Sequence, residues 1–479
     1  MALFRKGHGR ACSDVPDYMN SSTKRSIGLR LVPALILIPV VVFAALHFLP
    51  APRPKPRNVI LISIDTLRAD HLSYAGYERP TSPAIDRLAA QSLDFRRAFS
   101  QAPSTLPSHA TMFTSVYPSV HGAETRNTMP LPEGQTTLAE HFRNNGFRTA
   151  AFVEGGQMAA IWNLDQGFEV YDDPTQEMDL TGYVPDVLDV ILDRATHWIE
   201  QHRNERFFCF IHSYVVHHPY TPRPPYDRMF DEGYDGPLPF AITDELRSIN
   251  ATRRYPDEPD VRHVVSLYDG EIRYMDELVG RFLDWLRETS LDDETVVVFT
   301  SDHGEEFAEH GQVGVHGHTL ADELLHVPLL IRVPGLEPKT VGRQVRLLDL
   351  EPTLLALMDI DIGSEVMQGR DLLADGPDAE QDLPVFSEMV YPTGHWISLR
   401  YPDRKIIARP GAQSAYYDLT TDPLEQHNIF SPQSAESREL LKEVQAINAR
   451  NDDFAHYLAV PVQLDEQAEA QLRALGYFD

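Results

Sequence analysis

Two segments of the chain carry side chains that bind divalent cations. Asp65 follows the apolar run NVILISI, and Asp302 and His303 follow the apolar run TVVVFT. Carboxylate oxygens suit hard cations, and an imidazole nitrogen suits borderline ones. A neighbouring Asp-His pair alone is more often structural, but a second carboxylate after another apolar run favours metal binding. The residues therefore predict a metal site formed by Asp65, Asp302 and His303.

A third segment is rich in hydroxyl groups and could supply a nucleophile. Residues 103–114 read PSTLPSHATMFT, with prolines on both sides of Thr105. The sequence after Pro107 can open a helix, and the free amides and positive dipole end of a helix N-terminus suit an anionic ester. The alternative is an ordinary helix start in which Ser104 or Ser108 only caps the backbone. These residues alone leave both interpretations open.

An α/β domain would position these side chains. Asn58–Ile64 is a short, β-branched apolar run typical of a buried parallel strand. Further strand-like and helical runs alternate along the chain, which predicts a central sheet with helices packed on it. The predicted strands are 149–153, 207–212, 295–300 and 327–333, and the predicted helices include 184–203 and 268–288. Ligands in such sheets bind beyond the carboxyl ends of the strands. Asp65, Asp302, His303 and residues 212–218 all fall at or just past predicted strand ends.

The pattern changes after about residue 370. Short runs at 384–387, 396–400 and 405–408 predict a small antiparallel sheet, and helical periodicity returns from about residue 434. We therefore predict a catalytic domain over residues 58–370 and a smaller C-terminal subdomain over residues 371–479.

Composition excludes some classes of function. The 479 residues exceed the size at which a single core stops growing. Lys and Arg number 42 against 71 Asp and Glu, a net charge of -29, so the chain would repel nucleic acid. The two cysteines, Cys12 and Cys209, lie on opposite sides of an apolar run, and no disulfide framework is expected.

That apolar run, residues 31–50, is free of Asp, Glu, Lys and Arg. About twenty such residues cross a hydrocarbon core of about 30 Å. Six Lys or Arg precede it in residues 1–30, which predicts a cytoplasmic tail and a single-pass anchor. A cleaved signal peptide is the alternative, but the long basic region and the length of the run favour an anchor. The Pro-rich residues 51–57 would then link it to a catalytic domain outside the cytoplasm, periplasmic or extracellular.

Seven segments, in order over residues 57–430, resemble the sulfatases of the alkaline-phosphatase superfamily. The segment from Thr105 resembles the sulfatase nucleophile motif C/S-x-P-S-R-A-x-x-x-T-G. The resemblance implies an alkaline-phosphatase/sulfatase-like α/β fold, with a central mixed sheet flanked by helices and a smaller C-terminal α+β subdomain. The other matching segments surround Asp65, His217, Asp302, residues 316–328, residues 348–355 and residues 417–425.

The resemblance also implies roles for individual residues. Thr105 would be the nucleophile and, with Asp65, Asp302 and His303, a ligand of the metal. His109 replaces the Arg that supports the formylglycine in sulfatases, and it is therefore a further candidate catalytic residue. His217, favoured over His218 by its spacing to Pro219 and Tyr220, would contact the ester, as would either His316 or His318. Relatives with two zinc ions carry an Asp shortly before His217, whereas Val215 and Val216 stand here, so we expect one divalent ion: Ca, Mg, Mn or Zn.

The departure at the nucleophile leaves three functions open. Sulfatases convert a Cys or Ser to formylglycine, and Thr105 cannot follow because its β-carbon carries a methyl group. The first function is hydrolysis of a sulfate or phosphate ester, such as one carried by a glycan or a lipid head group, with Thr105 itself as nucleophile. The alternatives are transfer of a phosphoryl head group to an envelope glycan or lipid, and an inactive scaffold that kept the fold.

Overall fold

The computed structural model describes residues 55–177, 187–231, 233–238, 243–363, 367–374, 380–391, 394–454 and 460–475. The predicted cytoplasmic tail and anchor, and linker residues 51–54, lie outside these ranges. Within the described ranges, no helix is both long and apolar enough to cross a membrane. The end of the linker is held against the domain, because Lys55 pairs with Asp359 and Arg57 pairs with Glu294.

The strands of the described residues form one large sheet, one small antiparallel sheet and a two-stranded ribbon. In chain order they are β1 (Asn58–Ile64), β2 (Leu93–Phe99), β3 (Arg148–Phe152), β4 (Val170–Asp172), β5 (Phe207–Ser213), β6 (Thr295–Thr300), β7 (Glu306–Phe307), β8 (Val313–Val315), β9 (His326–Val327), β10 (Leu329–Arg332), β11 (Lys339–Arg346), β12 (Val385–Tyr391), β13 (Gly394–Arg400), β14 (Arg404–Ala408) and β15 (Ala415–Asp418).

Along the chain, most α-helices of the described residues connect successive strands of the large sheet. They are α1 (Pro83–Ala89), α2 (Thr105–Thr114), α3 (Pro118–His121), α4 (Leu138–Asn144), α5 (Val187–His202), α6 (Thr243–Ile249), α7 (Pro259–Glu288), α8 (Asp322–Leu325), α9 (Leu350–Leu357), α10 (Ala435–Asp452) and α11 (Glu466–Ala474).

The large sheet is mixed, as expected. Its order is β11-β2-β10-β6-β1-β5-β3-β4, with β9 paired to β2. Strand β1 is parallel to both β5 and β6, whereas β10 runs antiparallel to β6 and β2. All seven residues of β1 are buried because helices cover both faces of the sheet.

Most predicted elements are present with shifted ends. The run 295–300 is β6, but the run 327–333 is divided into β9 and β10 by Pro328, which has no N–H to donate to a neighbouring strand. Strands β2 and β11 were not predicted, because LDFRRAF and KTVGRQVR mix charged with apolar residues. Helix α2 begins at Thr105, two residues before the start that Pro107 suggested.

The small sheet confirms the change of pattern after residue 370. Strands β12 to β15 pair in sequence as an antiparallel meander. Helix α10 packs on this sheet through Leu440 and Val444, which share a cluster with Phe386 and Leu399. The C-terminal part is therefore a small α+β unit, as the sequence predicted.

The topology brings the predicted site residues to one edge of the large sheet. The carboxyl ends of β1, β5 and β6 are adjacent because the three strands are parallel neighbours. Asp65 follows β1, and its backbone N–H donates to the carbonyl of Ser213 at the end of β5 (3.0 Å). Asp302 follows β6 by two residues. Helix α2, buried along its whole length, starts at the same edge.

Candidate active site

Asp65, Asp302 and His303 converge in the interior with the geometry of a metal site. One ligand atom from each lies within 4.8 Å of the others, and all three residues are buried. Nε2 of His303 is 3.4 Å from Oδ2 of Asp302 and 4.0 Å from Oδ1 of Asp65. Asp65 Oδ1 and Asp302 Oδ2 have no hydrogen bond in the described structure. Buried carboxylate oxygens without a partner are costly, so this donor set fits a divalent cation.

The electrostatics of the three groups agree with that fit. Burial raises the pKa of Asp65 to about 6, and burial together with the charge of Asp65 also raises the pKa of Asp302. Burial alone would lower the pKa of His303, but Asp302 and Asp65 outweigh it and raise that pKa. Ionisation of both carboxyl groups is thus disfavoured by their burial, and a bound cation would favour the ionised forms.

The orientation of His303 presents its lone pair to this centre. Nδ1 of His303 lies 2.9 Å from the carbonyl oxygen of Gly304. A carbonyl can only accept a hydrogen bond, so Nδ1 carries the hydrogen and Nε2 carries the lone pair. Metal-binding histidines are commonly fixed in this way by an acceptor at the other ring nitrogen.

Thr105 lies at the same centre. Its hydroxyl donates to Oδ2 of Asp65 (3.0 Å), and its Oγ1 is 3.4 Å from Nε2 of His303. Because Thr105 is the first residue of α2, the chain enters the helix at the edge of the sheet and turns this side chain towards the carboxylates. The predicted nucleophile and the predicted metal ligands therefore meet in one buried place.

His109 lies one helical turn after Thr105 and beside the predicted metal ligands. Its Nδ1 is 2.9 Å from the carbonyl oxygen of Thr105 and 3.6 Å from Oδ2 of Asp302. Its Nε2 bonds to Oγ of Ser63 on β1 (3.0 Å). Burial lowers the pKa of His109 to about 3, so the ring is neutral near pH 7. Its side chain connects α2 to the central strand β1.

Of the remaining predicted histidines, the structure brings His217 and His316 to the site. The ring of His316 lies 4.6 Å from that of His303 and 4.9 Å from that of His217. His318, the alternative to His316, is half-buried and donates from Nε2 to Oε2 of Glu306 (2.6 Å). The two histidines are only two residues apart, and the path of the chain after β8 decides between them.

The family of the chain is shown by comparison with known proteins. The model of the sulfatase family matches residues 57–360. The chain belongs to the sulfatase family. Members of this family and its neighbours cleave sulfuric and phosphoric esters, and the chain is an ester hydrolase of this kind.

Individual relatives are distant but cover most of the chain. The ulvan-active sulfatase of Formosa agariphila is 26% identical over 410 residues, covering 79% of this chain and 78% of the relative. The arylsulfatase of Clostridium perfringens is 23% identical and covers 80% of this chain and 92% of the relative. The phosphonate monoester hydrolase of Agrobacterium radiobacter has the same fold, with a TM-score of 0.68, 21% identity, and coverage of 87% and 99%.

Two further residues of this candidate site were not assigned as catalytic residues or metal ligands from the sequence. His212 is the last residue but one of β5 and lies within reach of the carboxylates, with its Nε2 3.5 Å from Oδ2 of Asp65. Its ring lies 4.9 Å from that of His109. Glu305 accepts hydrogen bonds from His316 Nδ1 (2.9 Å) and from the Tyr220 hydroxyl (2.9 Å). The position of His212 at a strand end was the available signal, whereas the partners of Glu305 come from distant segments.

A cleft of about 750 Å³ opens beside the sulfatase site. Ser104, Pro107, Gln157 and His316 line it on the side of Thr105. The opposite side comes from the small sheet and α10. Its residues are Glu388, Met389, Val390, His395, Asn448 and Asp452. Both parts of the chain therefore contribute to the surface that a substrate would meet.

Proposed function

We propose that this sulfatase-family chain is a metal-dependent hydrolase of sulfate or phosphate esters in which Thr105 is the nucleophile. Asp65, Asp302, His303 and the Thr105 hydroxyl would hold one divalent cation. The observation that carries the proposal is the position of the Thr105 oxygen, 3.0 Å from Asp65 and 3.4 Å from His303, next to a cleft. Two buried carboxylates, one imidazole and one hydroxyl suit Mg, Mn or Ca and also permit Zn.

Several features of the chain support nucleophilic attack by Thr105. When bound, a divalent cation supplies a Lewis acid that lowers the pKa of a coordinated hydroxyl and offsets charge on an ester oxygen. Asp65 accepts the hydrogen bond of the Thr105 hydroxyl and so fixes the direction of its oxygen. In the first step, the bond from Thr105 Oγ1 to sulfur or phosphorus forms and the bond to the leaving alcohol breaks. Water then cleaves the threonine ester and releases sulfate or phosphate.

His217 and His316 are placed to handle protons. Nδ1 of His217 is 2.5 Å from the carbonyl oxygen of His218, and Nδ1 of His316 is 2.9 Å from Oε1 of Glu305. With Nδ1 engaged by an acceptor in each ring, Nε2 is the nitrogen that can exchange a proton with an ester oxygen or a leaving group.

We further propose an ester on a glycan as the substrate. The relative from Formosa agariphila is named for its activity on ulvan, which makes sugar esters the first candidates to assay. A polar cleft of about 750 Å³ has room for sugar units on both sides of the scissile ester.

We also propose that the catalytic domain works outside the cytoplasm. The support is the sequence of residues 31–50 and the basic residues that precede them. A reporter fused after residue 479 distinguishes the two topologies: alkaline phosphatase is active only outside the cytoplasm, and a fluorescent protein that folds only inside it gives the opposite signal. Fluorescence without phosphatase activity would contradict this topology.

The catalytic proposal is tested by substituting the nucleophile. We would assay the metal-loaded chain on matched aryl sulfate, phosphate monoester and phosphodiester substrates, with Thr105→Val and Thr105→Ser beside the wild type. Valine keeps the shape of threonine without the hydroxyl, so we expect kcat/KM to fall by about 10³-fold or more, whereas serine retains measurable activity. A folded Thr105→Val protein with wild-type turnover would rule out threonine as the nucleophile.

A further inference from the structure

Gln157 is a buried amide attached to the first turn of the nucleophile helix. It lies in a short helical turn, Gly156–Met158, and is fully buried. Its Oε1 accepts hydrogen bonds from the backbone N–H of Leu106 (2.8 Å) and from the hydroxyl of Thr125 (2.8 Å). A backbone N–H can only donate, so the amide oxygen must face Leu106, and the orientation of the side chain is thereby determined.

This arrangement leaves the amide nitrogen of Gln157 without a hydrogen-bond acceptor among the described residues. Nε2 is buried and makes no hydrogen bond with any described residue. Buried amide donors are almost always paired, and an unpaired one destabilises the fold. Gln157 also lines the cleft together with Ser104, Pro107 and His316. The donor is therefore held beside Thr105, at the position where a bound ester would supply an oxygen.

The amide donor of Gln157 is uncharged, and the wall of the cleft around it carries little positive charge. Among the described residues that line the cleft, Arg126 is the only lysine or arginine, and it is exposed. An uncharged amide gains a charge-assisted hydrogen bond from any anionic oxygen. It adds no net positive charge to offset a second negative charge on the ester, as an ammonium group would.

We propose that Gln157 is a substrate-contacting residue whose Nε2 donates to an oxygen of the ester bound at Thr105, and that this uncharged donor favours esters with one negative charge. Sulfate monoesters and phosphodiesters belong to that class, and phosphate monoester dianions do not. The inference rests on the proposed function, because it takes Thr105 as the point of attack.

Gln157→Glu is the sharpest test. Glutamate keeps an oxygen for Leu106 and Thr125 but replaces the donor with a negatively charged acceptor. We expect kcat/KM on an aryl sulfate and an aryl phosphodiester to fall by about 100-fold or more, and the affinity for inorganic sulfate, measured by calorimetry on the metal-loaded protein, to fall by about tenfold or more. Gln157→Lys should raise the ratio of phosphate monoester to phosphodiester turnover by about tenfold.

Two further variants distinguish direct contact between Gln157 and the substrate from a structural role of Gln157. Thr125→Val removes one partner of the Gln157 oxygen and leaves the Nε2 donor, so we expect less than about a threefold change in kcat/KM. Gln157→Met keeps the side-chain length without charge and carries the test if Gln157→Glu fails to fold.

The failures of the two proposals are distinguishable. If turnover requires the Thr105 hydroxyl but Gln157→Glu and Gln157→Met match the wild type in kcat/KM and sulfate affinity, the role of Gln157 is overturned and the catalytic proposal stands. An unchanged substrate ratio in a folded Gln157→Lys protein overturns the charge preference. If Thr105→Val is as active as the wild type, the catalytic proposal itself fails.

Discussion

At the scale of single residues, the site is a set of buried polar groups, and burying them together is unfavourable unless a cation binds between them. Asp65 and Asp302 each lie at full burial with one oxygen that no described residue bonds. His303 and the hydroxyl of Thr105 point at the same space. Burial in a low-dielectric interior raises the pKa of both carboxyl groups, and the charge of Asp65 raises the pKa of Asp302 further. A divalent cation would relieve both.

Removal of one carboxylate should therefore remove the metal. We expect about one ion per wild-type chain after equilibration with Ca, Mg, Mn or Zn and desalting, and less than about a tenth of an ion in Asp302→Ala, measured by mass spectrometry of the metal. The matched control is Asp403→Ala, because Asp403 is a surface aspartate whose carboxylate, among the described residues, pairs only with its neighbour Arg404. Stoichiometric metal in folded Asp302→Ala protein would refute the ligand set.

At the scale of elements, the ends of the strands bring the predicted metal ligands together only if the turn after His303 is tight. Gly304 lies in this turn, and its backbone N–H donates to the carbonyl of Leu324 (2.9 Å). A Cβ added to Gly304 would be 2.0 Å from the carbonyl oxygen of Glu323, which is backbone and cannot rotate away. Helix α8 thus packs directly on the turn that carries His303.

Gly304→Ala should consequently destabilise both the domain and the metal site. We expect the free energy of unfolding to fall by about 2 kcal/mol or more, with weaker metal binding, because the clash must displace the His303 turn or α8. Gly342→Ala is the matched control, since a Cβ at Gly342 would meet nothing within 4 Å. Chemical denaturation of both variants gives the comparison, and equal stability would contradict the packing argument.

At the scale of the whole molecule, the C-terminal part is tied to the catalytic part by buried ion pairs. His310, between β7 and β8, bonds through Nδ1 to Oε1 of Glu323 (2.6 Å) and through Nε2 to the carbonyl of Glu425 (3.1 Å). Lys405 on β14 is fully buried between Asp322 and Glu425, at 2.8 Å from each. These contacts hold the small sheet against α8, which keeps the two sides of the cleft together.

His310 should make this connection sensitive to pH. Burial alone would lower the pKa of His310, but the bond and charge of Glu323 outweigh it and raise that pKa to about 9. The folded value exceeds that of the unfolded chain, about 6.5, so the stabilisation is complete below about pH 6.5 and is lost as the pH rises to about 9. We expect a loss of about 1 to 3 kcal/mol across that interval.

The measurement is the free energy of unfolding at several pH values for the wild type and for His310→Gln. Glutamine can still donate to Glu323 but does not titrate, so the difference between the two proteins isolates His310 from the other buried acids. A difference that stays constant between pH 6.5 and 9 would show that His310 does not carry its proton in the folded state.

The sequence alone determined the class of fold and predicted which buried side chains meet beyond the ends of its strands. Runs such as NVILISI and TVVVFT are apolar throughout because both faces of their strands are buried, and parallel neighbours place their carboxyl ends together. Asp65, Asp302 and His303 could therefore be assigned from their places after strands. The same local reasoning missed β2 and β11, whose polar residues interrupt the apolar pattern.

Tertiary structure alone decided which distant side chains complete the site. Spacing cannot separate His316 from His318, because a loop can turn either towards β6, and the folded chain places His316 on His303 and His318 on Glu306. Gln157 belongs to no recognisable motif. Its orientation is known only from the folded chain, in which Leu106 and Thr125 donate hydrogen bonds to its side-chain oxygen. Local sequence sets the periodicity of elements, whereas contacts between residues far apart in the chain depend on how those elements pack.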